Sequence, residues 1–161
     1  MLGKGRRRLT AAALGLSATG RSFRRIAAHG AAITSDSPPE SLHDLRKRAK
    51  ELRYLLEFFA PLHDQVAYRK VLSDLKQLQD CLGEFQDSEV QRAEIRTLAD
   101  AMLAERAPAA TLLAMGEIAA KLALSQAGAR AEFAARFARF AGPAGRERVR
   151  VLLANEMQGR P

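Results

Sequence analysis

Between Leu42 and Phe59 apolar residues return every three or four positions, at Leu42, Leu45, Ala49, Leu52, Leu56 and Phe59. That is the period of an α-helix with one buried face. Beside the apolar arc lies a narrower one of about 80° on the same helical projection, holding His43, Arg46, Lys50, Arg53 and Glu57. Asp44, Lys47, Arg48 and Glu51 fall on the far side, where acids and bases mix as they do on an ordinary solvated face. The column is different. Its cations stand one turn apart with no acid among them until Glu57, and like charges at that spacing repel. A solvated face or internal pairing with Glu57 would account for part of it; an elongated polyanion lying along the helix would account for all of it.

The same period predicts helices along the rest of the chain. A first helix opens at Arg6, Arg7 and Arg8 and carries Leu9, Ala12, Ala13, Leu16, Phe23 and Ile26, with Arg21, Arg24 and Arg25 between them. Gly15 and Gly20 weaken it and predict a break near Gly20. Thr34 to Glu40 reads as a linker, with Ser37 capping the central helix and Pro38 at its first position; Pro61 ends that helix near Ala60. A third helix begins near Asp64 with the arc Tyr68, Val71, Leu72, Leu75, Leu78 and Leu82. Gln79 falls inside this arc, so it either bonds across the bundle or reaches a ligand; Lys76 and Gly83 stand at its border. Asp87 is read as the cap of a continuing helix whose Val90, Ile95, Leu98 and Met102 face inward. A further helix starts at Pro108 with Leu112, Leu113, Met115, Ile118 and Leu122, with an interruption expected at Gly128 before the core residues Phe133, Phe137 and Phe140. Gly142-Pro143 breaks the chain before a short basic helix from about Ala144 to Met157. The expectation is an all-α antiparallel helical bundle forming a single domain over residues 1–161.

Composition agrees. Alanine and leucine dominate, Trp is absent and aromatics make up 6%, which favours helices over strands. No apolar run reaches the roughly 18 residues of a membrane span. The single cysteine, Cys81, has no partner for an internal disulfide, reads as a small core residue and fits a reducing cytoplasm. The net charge of +8 is unevenly spread: residues 1–55 hold twelve Lys or Arg and four Asp or Glu, while the remainder balances at fourteen of each. A basic excess gathered around one helix points to a polyanion. Residues 1–35 contain no acid and are read as a second basic wall of the same site; an ordinary solvated face, an organelle transit peptide and a membrane-surface helix are the rival readings.

The pattern His43-x-x-Arg46-x-x-x-Lys50-x-x-Arg53-Tyr54-x-x-Glu57, followed by Leu75-Lys76-Gln77-Leu78-Gln79-Asp80-Cys81-Leu82-Gly83-Glu84-Phe85-Gln86-Asp87, resembles the two-part signature of the CHAD domain, the conserved histidine α-helical domain. The match is best over residues 42–87. The resemblance implies an all-helical, basic module that binds inorganic polyphosphate and is not known as a catalyst; no cofactor is expected, and the expected location is the cytoplasm, with targeting to polyphosphate granules. Members usually carry two such repeats and this chain shows one, so the expected unit is a CHAD-like half-domain, and homodimerisation is one way to replace the missing repeat.

On this reading His43, Arg46, Lys50 and Arg53 carry binding, with Lys76, Arg24, Arg25 and Lys47 in supporting places. His43 to Arg53 rises about 15 Å, enough to follow several phosphates. Arginine offers a planar fork to paired oxygens, lysine a point charge, and a histidine beside phosphate is favoured as a cation. No catalytic or metal-ligating residue is expected. His43-Asp44 and His63-Asp64 are HD dipeptides of the kind found in metal-dependent phosphohydrolases, but that chemistry needs further ligands and His29 is the only other histidine. There is no Gly-x-x-x-x-Gly-Lys phosphate loop. Nucleic acid is the competing polyanion, with neither Trp nor a recognisable helix-turn-helix to read bases. An acidic protein docked on a helical scaffold is the rival of another class.

Overall fold

The arc from Leu42 to Leu56 is the centre of the core: Leu42, Leu45, Ala49, Leu52 and Leu56 are each at most 2% exposed. In the computed structural model, which describes the backbone of residues 3–154 and the side chains of residues 13–154, these residues lie on α2 (Pro39–Phe58). Around it run α1 (Gly3–Ala31), α3 (Gln65–Ala104), α4 (Ala109–Ala141) and α5 (Pro143–Ala154), with one turn of 3-10 helix at Ala60–Leu62. Among the described residues all regular structure is helical, so the all-α bundle is the architecture. One apolar cluster joins Phe23 and Ile26 of α1, the α2 arc, Val71, Leu75, Leu78, Leu82 and Phe85 of α3, Phe133 and Phe140 of α4, and Val149 and Leu152 of α5. Each large aliphatic side chain so buried contributes about 1.5–3 kcal/mol.

Several boundaries differ from the sequence expectations. α1 runs through Gly20 without a break. An interior glycine costs a helix about 1 kcal/mol, and here close packing offsets it: Gly20 is buried, and a Cβ there would meet Leu153 at 3.2 Å. Near the end of α1, a Cβ on Gly30 would overlap the ring of Phe137. The N-cap of α2 is Pro38, with no side-chain cap, and Ser37 instead accepts from the Thr34 N–H at 2.9 Å. Arg130 of α4 donates to the carbonyls of Ser35 and Ser37, so the linker that sets the start of α2 is held from across the bundle. α3 begins beside Asp64 as expected, and Asp64 is its N-cap, accepting from the N–H groups of Val66 and Ala67. α3 then continues unbroken past Gly83 and Asp87 for 40 residues, and α4 passes Gly128 for 33. The proposed cap at Asp87 and interruption at Gly128 are therefore absent. Arg6, Arg7 and Arg8 and the expected helix end at Met157 lie outside the described side chains.

The distal parts of α3 and α4 are the largest departure. From Glu89 to Gly128 no described residue is buried. Val90 and Leu98, read as inward-facing, are 44% and 54% exposed, and Leu113 and Ile118 are 70% and 51%. Ile95, Met102, Leu112, Met115 and Leu122 are half-buried. Over most of this stretch the two helices cover only one stripe of each other.

Candidate functional site

α2 and α3 bound an open groove of about 780 Å³, with Leu122 and Ser125 of α4 at one side. Arg46, Lys50, Arg53 and Tyr54 line the α2 wall. They reach it because the column sits immediately beside the buried arc, so packing α2 onto α3 leaves the column along the seam. The opposite wall is α3. Asp80, Glu84 and Asp87 line it together with Gln79, Gly83, Ser88 and Gln91. The sequence reading missed those three carboxylates as part of the site, although their i, i+4, i+7 spacing inside the second motif already put them on one stripe.

The cations are not neutralised alike. No carboxylate lies within ion-pair distance of Arg46 or Lys50 among the described residues, whereas Arg53 donates to Glu57 of its own helix at 2.7 Å. That contact, chiefly the hydrogen bond, raises the Arg53 pKa further; with both side chains about 40% exposed, the pair is a weak one. Lys50 stands 5.7 Å from the Tyr54 ring centroid. Arg46 lies over Gly83, where a Cβ would be 4.0 Å from its Nε. Gln79 has a buried Oε1 without a hydrogen-bond partner among the described residues and lines the groove. Of the two roles open to it, a cross-bundle bond is not made through this oxygen.

The remaining predicted residues are placed elsewhere. His43 continues the column but does not line the groove; its Nδ1 donates to Gln86 Oε1 at 2.9 Å. Lys47 points to the outer face and pairs with Asp44 at 3.4 Å. Lys76 is exposed on α3 beyond the groove's end. Arg25 lies on the other edge of α2, in a small α1–α2 groove with Arg21, Arg48 and Glu51, and Arg24, also exposed, joins neither. Among the described side chains, α1 thus supplies no second wall to this groove, which corrects that expectation for Arg24 and Arg25. α1 packs against the opposite flank of α2, because the apolar arc has two edges and α3 occupies the one carrying the column.

The other chemistry-bearing side chains are separated. His29 Nε2 donates to the Ser41 carbonyl at 3.1 Å, tying α1 to the start of α2. His63 is 4% exposed, stacked on Tyr68 at 6.1 Å, and burial lowers its pKa. The Cys81 thiol donates to the Ala129 carbonyl at 3.1 Å, and burial pushes its pKa up to about 11, far from a reactive thiolate. Among the described residues no three His, Cys, Asp or Glu side chains converge on one point as metal ligands would, and no helix is long and apolar enough to cross a membrane.

The family model described as CHAD domain matches residues 5–96. This is more than half of the chain and takes in α1, α2 and most of α3, well beyond the 42–87 core of the signature. No curated protein matches.

Proposed function

The chain belongs to the CHAD domain family, and on that premise we propose that it binds inorganic polyphosphate without transforming it, along the α2 wall of the groove. The observation that carries this reading is that Arg46 and Lys50, one turn apart, have no ion pair among the described residues while three carboxylates face them across the groove. Cations packed at the edge of a core and kept free for ligand are what phosphate oxygens require. The carboxylates of α3 narrow the choice of polyanion. A thin unbranched phosphate chain lies against one wall and avoids the other, whereas duplex nucleic acid fills the whole opening and meets Asp80, Glu84 and Asp87. Retention at polyphosphate granules in the cytoplasm is the cellular role that follows from such binding.

Titration of the full chain with polyphosphates of defined length at two salt concentrations tests the reading. Binding is expected to weaken steeply with salt, by a log–log slope of roughly 0.7–0.9 per phosphate neutralised, and long polyphosphate should displace an equal phosphate concentration of DNA. Arg46→Glu with Lys50→Glu should abolish it; unchanged affinity in that double variant overturns the site. Displacement by DNA, or preference for an acidic protein, would transfer the groove to the rival readings. Light scattering of the complex tests dimerisation, since a monomer that still binds long chains removes the need for a second copy.

A further inference from the structure

α3 carries a second basic concavity one and a half turns and more before the first. Asp74 is 6% exposed, and its two oxygens are taken by arginines from two other helices, Arg139 Nε at 2.8 Å and Arg148 Nη2 at 2.6 Å. A buried carboxylate must be paired in this way, and the pairing fixes both guanidiniums over one spot. Around them lies a cleft of about 700 Å³ that Arg69, Lys70 and Ser73 complete. Four cations stand against one carboxylate there. The first groove's lining instead balances three cations against three carboxylates. The arginines also keep donors in hand. Arg139 engages Asp74 through Nε and Arg69 uses its Nε on the Gln65 carbonyl, which leaves their terminal nitrogens uncommitted among the described residues, while Arg148 spends Nη2 on Asp74 and on the Arg139 carbonyl.

The two concavities share one side of α3. Arg69, Ser73, Lys76, Asp80 and Asp87 recur at i, i+4, i+7, i+11 and i+18, a single helical stripe, and all five are exposed. From Lys70 to Asp80 the helix rises about 15 Å, with Lys76 between them. Lys76, which lines neither concavity, is a stepping point on the surface that joins them.

We infer that the Asp74 cleft is a second oxyanion subsite, taking a phosphoryl group on Arg69, Lys70, Arg139 and Arg148, and that a long phosphate chain leaving the first groove passes Lys76 to reach it. The first half of this inference stands whether or not the first groove binds; the second half rests on that reading. Joining two subsites through one ligand raises affinity by effective concentration and without new contacts, so the second cleft selects for chain length.

The test uses inorganic tripolyphosphate, too short to span both places, and long polyphosphate, on the full chain. Backbone amide shifts at Ser73 and Ala144 report the cleft; those at Gly83 and Asp87 report the groove. Tripolyphosphate should shift Ser73 and Ala144 saturably, and should still do so in Arg46→Gln with Lys50→Gln. These shifts should vanish in Arg69→Gln with Arg139→Gln, a pair of exposed positions that leaves Arg148 on Asp74 to hold the fold. Absence of saturable shifts at Ser73 and Ala144, or their survival in the second variant with its fold intact, overturns the subsite. That result is separate from silence at Gly83 and Asp87, which would overturn the groove. The second variant should lose at least tenfold in affinity for long polyphosphate while tripolyphosphate at the groove is unaffected. An unchanged long-chain affinity overturns the continuity between the two.

Discussion

The two concavities on α3 use the same residue types to opposite ends. In the groove, Asp80, Glu84 and Asp87 are exposed and face Arg46 and Lys50 without touching them. Without ion pairs between the walls, the arrangement contributes little to stability and leaves the cations open to a ligand. In the cleft, Asp74 is withdrawn from solvent under two guanidiniums. There the ion pairs are structural first, and any ligand uses what the arginines have left over. Burial, more than the number of charges, decides whether an ion pair organises the fold or the site.

The largest effect should come from removing the buried carboxylate. Asp74→Ala leaves Arg148 half-enclosed without a counter-charge, and denaturant unfolding should show a loss of about 3 kcal/mol, at the low end for buried pairs because both guanidiniums keep some solvent access. A loss below about 1 kcal/mol would erase the distinction between the two regions. Neutralising the groove's wall should do the reverse and act on binding: Asp80→Asn with Glu84→Gln should leave stability within about 0.5 kcal/mol and tighten polyphosphate binding severalfold, by about 1 kcal/mol, measured by calorimetry. Weaker binding would show instead that the carboxylates assist the ligand.

His63 gives a milder contrast, a buried polar ring that lacks the clasp Asp74 has. Its folded pKa is lowered by burial, so between that value and the ordinary 6.5 or so the unfolded chain binds a proton that the folded chain does not. Stability is therefore full above about pH 6.5 and falls as the pH drops through the folded pKa. Thermal melts from pH 7.5 to 5 should show this decline, and His63→Phe should flatten it. The smallest effect belongs to the exposed pair beside the groove. Glu57→Gln should leave the denaturation midpoint essentially unchanged while freeing Arg53 for phosphate, detected as a slight gain in affinity.

Much of the bundle was legible because its period is strong. Leu42, Leu45, Ala49, Leu52 and Leu56, Val71, Leu75, Leu78 and Leu82, and Phe133 and Phe140 fall on the core arcs of the sequence and are buried. The errors cluster where a single residue was asked to stop a helix. Gly20, Asp87 and Gly128 all lie inside continuous helices, because a local penalty of about 1 kcal/mol is outweighed by packing or by two long helices covering each other. Val90 and Leu98 were misread for the opposite reason. Their period is helical, but period alone does not say whether a neighbour exists to cover it. In the site, the α2 column could be read because it lies on one element. The carboxylate wall, the separation of Arg25 from the column, and the clasp of Asp74 by Arg139 and Arg148 join residues up to 74 positions apart, and no spacing rule reaches that far.

The sequence by itself determined that this chain is helical, that its basic excess gathers around one amphipathic segment, and that Arg46, Lys50 and Arg53 share an edge of it; all three follow from short-range periodicity and from charge. Only the tertiary structure decided which edge of α2 faces α3, which cations keep free nitrogens, and that Asp74 draws two distant arginines into a second basic cleft. Those outcomes depend on which apolar faces pack together and on how deeply a charge is buried, quantities that exist only once the helices have met.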